Sequence, residues 1–117
     1  MLMSDTALRR YMETGSVDDA IRASQDTHAR ALQEWGGEEN LAHAHAEFGT
    51  EYEDVVPKTV MSFTTDPEVA KYFANGGPVY RAMISPSDGI RQTLPGAGES
   101  EVLIPHAIKV EEWTDRL

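Results

Sequence analysis

The chain has no cysteine. That excludes a disulfide framework, a thiolate metal site and a cysteine nucleophile, and it fits a reducing cytoplasm. Long apolar runs are also missing. Val102-Leu103-Ile104 is typical of the runs present, and nothing of that length spans a membrane. The opening Met1-Leu2-Met3-Ser4-Asp5 has neither a basic region nor a long apolar core, so no cleavable secretion signal is expected. Basic residues are scarce: 10 against 20 acids, a net charge of −10. This argues against nonspecific binding to nucleic acid or to an anionic membrane, and suits a partner bearing arginine. With 117 residues the chain reads as one domain, long enough for a core without covalent staples. It contains no internal repeat, low-complexity segment or long linker.

Composition divides the chain into a helical part, residues 1–50, and a part made of strands with one helix, residues 58–113. Ser4 can cap a first helix carrying Leu8, Tyr11 and Met12 and closed by Gly15. Ser16 can cap a second, with Asp18 and Asp19 in its first turn. There Val17, Ile21, His28, Leu32 and Trp35 keep helical spacing, and Gly36-Gly37 ends it. Ser24 falls on that apolar face as a small polar gap. A third helix is expected from about Glu38 to Phe48, followed by an acidic loop from Gly49 to Lys58 that contains Pro57.

The period then changes. Residues Thr59 to Thr65 read as a strand. Asp66-Pro67 starts a helix with Val69, Ala70, Tyr72 and Phe73 on its apolar face and Gly76-Gly77 at its end. Val79 to Ile84 reads as a second strand, Ser85 to Ser100 as a loop, Glu101 to Ile104 as a third strand, and Ala107 to Trp113 as an alternating fourth. Strands that follow one another with a single intervening helix imply an α+β fold: N-terminal helices, then a mainly antiparallel sheet.

The stretch with most chemical content is Gly96-Ala97-Gly98-Glu99-Ser100-Glu101-Val102-Leu103-Ile104-Pro105. A glycine-rich loop delivers two glutamates to the start of a buried strand. Spaced two apart in extended chain, Glu99 and Glu101 share one side. Alone, the stretch reads either as a solvated acidic turn before a core strand or as a pair of acids placed for chemistry.

The order strand, Ser62-Phe63-Thr64, helix, strand, glycine-rich loop, Glu99-Ser100-Glu101 and Val102-Leu103-Ile104-Pro105 resembles the ADP-ribosyltransferase superfamily. Within it, the likeness is to the arginine–serine–glutamate class of mono-ADP-ribosylating toxins and ectoenzymes, and it covers about half the chain, residues 58–113. Ser62 matches the first serine of the family's Ser-Thr-Ser motif, Phe63 departs from its threonine, and Thr64 keeps a hydroxyl at the third place. Asp66-Pro67-Glu68-Val69-Ala70, with Phe73 after it, is typical of these proteins.

The resemblance implies NAD as substrate and transfer of ADP-ribose to an accessible arginine of a protein target. Glu101 would be the catalytic acid beside the ribose and Glu99 the carboxylate that orients the acceptor guanidinium. Ser62, Thr64 and Phe73 would serve NAD binding, and the loop from Ile90 to Ser100 would meet the acceptor. Partners would be NAD, the arginine target and an immunity or other partner protein, with no nucleic acid or membrane and no metal. The chain would work in the cytoplasm or as an effector exported without a cleavable signal. The family also carries an arginine on an early strand. Here no apolar strand of that kind precedes Ala7, which implies a sheet truncated at its first strand; a catalytically degenerate fold acting as a protein-binding or regulatory module is the alternative.

Other constellations read as structure. His43 and His45 point to different helix faces and do not share an ion. His28 reads as a hydrogen-bonded residue at the core edge, His106 as a turn residue, Tyr72-Phe73 as core under the sheet, and Trp35 and Trp113 as packing anchors. The run Glu51-Tyr52-Glu53-Asp54 lacks calcium-loop spacing and reads as solvated loop.

Overall fold

The computed structural model describes residues 1–48, 58–96 and 100–113. In chain order the elements are β1 (Leu2–Met3), α1 (Asp5–Thr14), α2 (Val17–Trp35), α3 (Glu38–Phe48), β2 (Val60–Thr64), α4 (Pro67–Ala74), β3 (Tyr80–Arg81), β4 (Ile90–Arg91), β5 (Glu101–Pro105), β6 (Ala107–Ile108) and β7 (Glu111–Glu112). A 3-10 turn at Pro86–Asp88 leads into β4. The architecture is α+β with the helices concentrated first and every strand pair antiparallel. The acidic loop and the run Glu51 to Asp54 lie outside the described residues, as does Glu99.

Local chemistry sets the helix limits. Ser4 accepts a hydrogen bond from the Ala7 N–H, Ser16 from that of Asp19, and Asp66 from that of Glu68. Gly15 and Gly36 end α1 and α2 at φ 70° and 84°, the left-handed conformation in which a side chain is disfavoured. The helix α4 closes instead on Asn75 at φ 48°, one residue before the expected glycine pair, because asparagine also tolerates that region. Helices α1 and α2 pack against each other through small buried residues, among them Ala7, Ala20 and Ser24, which let the backbones approach closely.

The main sheet has the order β2-β5-β4, with β5 central. Its register pairs Val60 with Pro105, Ser62 with Leu103 and Thr64 with Glu101; Ile90 pairs with Leu103 on the other side. Paired residues share a face, so Val60, Ser62, Thr64, Ile90, Glu101 and Leu103 lie together. Ile90 and Leu103 close a core with Ala42 of α3, and Val60 packs against it. The face that carries Ser62 and Glu101 is therefore the face that α3 covers.

Several expectations are corrected. One continuous sheet was expected, and the strands form three: the three-stranded sheet and the pairs β1-β6 and β3-β7. His106 is the physical reason. At φ 65° it turns the chain sharply after β5 and so separates β5 from β6, which pairs with β1; the expected strand from Ala107 to Trp113 is itself divided at Lys109 and Val110, between β6 and β7, and β7 pairs with β3. Only Tyr80 and Arg81 of the expected strand Val79–Ile84 pair, and Ile90–Arg91, read as loop, forms a strand because Ile90 is buried against β5. The strand β1, two residues long, has no periodicity to read and was not expected. Tyr72 and Phe73 are not core: each is 79% exposed, and the rings meet edge to face at 5.4 Å on the outer side of α4.

Gly89 is where β4 enters the sheet. A methyl group there would lie 2.7 Å from Val102 Cγ1 and 3.1 Å from Ile84 Cδ1, and the β-branched Val102 has little freedom to yield. Gly89→Ala is expected to destabilise by about 1–3 kcal/mol, the overpacking cost exceeding the stabilisation that comes from lower entropy in the unfolded chain. A lower urea midpoint with an unchanged m-value is the check.

Candidate active site

Glu101 opens the central strand and is held from both sides. On the β2 side the Thr65 N–H donates to the Ser100 carbonyl (3.0 Å); on the β4 side the Gln92 N–H donates to the Glu101 carbonyl (3.0 Å). The backbone at this position is thus tied to both neighbouring strands. The carboxylate is fixed as well. Ser62 Oγ donates to Oε2 at 2.5 Å, in the range of a charge-assisted O–H···O bond, and Gln92 Nε2 donates to Oε1 at 3.1 Å. The Ser62 side faces solvent and the Gln92 side is partly buried. The carboxylate therefore has one oxygen on the solvent side of the sheet's end and the other partly buried.

The structure brings together Ser62 and Glu101, which sequence reasoning named, and Gln92, which it passed over as loop. The signal was the alternation Ile90-Arg91-Gln92: a polar residue at an inward position, two after an apolar one. Thr64 shares their face, but its hydroxyl accepts from the Asp66 N–H (3.1 Å) and so shapes the turn into α4. Phe73 sits on the exposed side of α4. Among the arginines, Arg10, Arg22 and Arg81 pair with Glu13 (3.2 Å), Asp19 (3.6 Å) and Glu111 (2.7 Å).

A second polar cluster lies within the molecule. The Ser4 and Ser24 hydroxyls are 3.1 Å apart, Ser24 Oγ meets His106 Nδ1 at 2.8 Å, and His28 Nδ1 meets Thr59 Oγ1 at 2.7 Å. The two imidazoles contact edge to face with centroids 5.2 Å apart. Burial lowers the pKa of both histidines below the usual 6.5; Glu38 works against this at His28, and His28 adds to it at His106. Ser4, Ser24 and Thr59 are all buried, so the cluster joins α1, α2 and the turn after β5, and the polar gap in the α2 stripe is its middle member. His28 and His106 have the core-edge and turn roles expected of them.

His43 Nε2 meets the Thr93 hydroxyl at 2.8 Å, outside any ion site. Among the described residues no group of three His, Cys, Asp or Glu side chains could hold a metal, and no helix is long and apolar enough to cross a membrane. No family model, curated protein or solved structure matches the chain.

Proposed function

We propose that the chain is an NAD-dependent mono-ADP-ribosyltransferase acting on arginine. The observation that carries this reading is the Glu101 carboxylate held by Ser62 at the start of the central strand, the pairing that the resemblance of the two motifs calls for. In the reaction the bond between the ribose anomeric carbon and the nicotinamide nitrogen breaks. Its electron pair leaves with nicotinamide and neutralises the pyridinium. The ribose becomes oxocarbenium-like, and the Glu101 carboxylate stabilises that positive charge. A guanidinium nitrogen of the acceptor then bonds to the same carbon and releases a proton, with Glu99 orienting the guanidinium through paired hydrogen bonds. The balance is NAD and arginine to nicotinamide, ADP-ribosyl-arginine and a proton.

Purified chain incubated with NAD tests the proposal. Nicotinamide release is expected, and it rises with agmatine as an arginine analogue. Glu99→Gln should spare hydrolysis of NAD by water and stop transfer to agmatine; loss of both activities together would refute its acceptor role.

A second reading, a catalytically degenerate fold serving as a protein-binding or regulatory module, draws support from the cations: Arg10, Arg22 and Arg81 are held in ion pairs by neighbouring acids. Titration calorimetry separates the two. A well-folded chain that takes up no NAD favours the module, and the search then moves to protein partners.

A further inference from the structure

We propose that Gln92 is a positioning residue for Glu101, holding the carboxylate turned toward Ser62 and tying its place to α3. The kinetic part of this inference rests on the transferase reading; the geometric part does not.

Gln92 is 4% exposed. A buried primary amide is costly unless its valences are met, and an apolar side chain of the same volume would fill the site without that cost. Here they are met by partners that allow one orientation only. Nε2 donates to the Ala42 carbonyl of α3 (2.7 Å) and to Glu101 Oε1 (3.1 Å), while Oε1 accepts from the Leu94 N–H (3.2 Å). Reversing the amide would set oxygen against two acceptors and nitrogen against a donor, so the three partners together determine the direction in which it points.

If the residue served only to pin β4 onto α3, the bond to Ala42 would suffice. The second N–H goes to the carboxylate, and this has a geometric consequence. Ser62 holds Oε2 alone, and a carboxylate held at one oxygen still pivots about it. A donor on Oε1 supplies the second point and fixes the plane. Since the amide is itself anchored on a helix carbonyl buried in the core, the carboxylate is located with respect to α3 as well as to its own strand. A charge that must meet a developing cation acts best when no reorganisation is needed at the moment of reaction. Displacement by about 1 Å can cost on the order of 10²-fold in rate.

The test uses Gln92→Met, which keeps the volume and removes the donors, beside Gln92→Asn, which keeps an amide one methylene too short to span Ala42 and Glu101. The second variant carries the test if the first does not fold. Two readouts are taken: the Glu101 carboxylate position in crystal structures, and the split of nicotinamide release into kcat and KM for NAD. The expected result is a carboxylate plane rotated about its contact with Ser62 and a kcat lowered by about 10–10²-fold, with KM changed by less than about twofold because ground-state binding of NAD is untouched. A merely architectural role would lower thermal stability and leave kcat per folded molecule unchanged. A carboxylate plane that keeps its wild-type orientation, or a rotated one with wild-type kcat, overturns the proposal. A shifted carboxylate in a protein whose wild type releases no nicotinamide upholds the positioning role and removes the transferase reading instead.

Discussion

Glu101→Gln is expected to lower nicotinamide release and arginine transfer by on the order of 10²–10³-fold or more, while the chain stays folded. The substitution keeps the shape of the side chain and one acceptor oxygen, so the bond from Ser62 survives, while the bond from Gln92 Nε2 to the other oxygen is lost. What it removes is the negative charge. The transition state carries positive charge on the ribose, whereas the ground state carries it on the pyridinium ring, so the loss falls chiefly on kcat. The packing cost is small: Glu101 lies at the end of the sheet, beyond the Ala42–Ile90–Leu103 core. Circular dichroism and a thermal melt should therefore match the wild type. Transfer at the wild-type rate in Glu101→Gln would remove this residue from the chemistry.

The second large effect is on stability and comes from His28, which is buried, and His106, which is half-buried. Both have folded-state pKa values lowered by burial, against about 6.5 in the unfolded chain. Above pH 6.5 neither state carries the protons and the full stability is present. As pH falls through 6.5 the unfolded chain takes up protons that the folded chain refuses, so stability falls and continues to fall until the folded-state values are reached. Each proton contributes a limiting slope of about 1.4 kcal/mol per pH unit. Glu38, the acid facing His28, moderates the loss at that ring. Urea unfolding between pH 7.5 and about 5, above the range where ordinary carboxylates titrate, measures this. His106→Asn, whose side chain tolerates the left-handed backbone at that position, should remove one proton's share of the slope. Thr59→Val leaves His28 Nδ1 without its hydroxyl partner and should cost about 1–3 kcal/mol at neutral pH. A stability profile flat over this range would show that the rings titrate normally.

How far the fold could be read from the sequence depended on the range of the forces involved. The helices were legible because their signals are local: Ser4, Ser16 and Asp66 cap, Gly15 and Gly36 close, and the apolar stripes repeat between them. The pairing of strands was less legible. Leu2–Met3 and Glu111–Glu112 are strands only because distant partners meet them. His106 was legible as a turn residue after Pro105, but nothing in the sequence marks its left-handed backbone. Tyr72 and Phe73 fitted an apolar helix face, but α4 turns that face outward. At the site, Ser62 and Glu101 were readable as motifs that strand pairing brings together. Gln92 was not, since its role depends on a helix carbonyl 50 positions earlier in the chain.

The hydroxyl–imidazole cluster also bears on how the polypeptide is made. Ser24 and His106 are 82 positions apart, and β1 closes against β6 beyond them. The contacts between α1 and α2 are short-range and can form as soon as both helices have left the ribosome, whereas Ser24 gains its imidazole partner only when the chain has been translated past His106. A nascent chain stalled before residue 106 would thus present a helical hairpin with an unsealed polar seam, a target for chaperones and proteases. Emergence of the segment around His106 would shut it in one step that joins stretches far apart in the sequence.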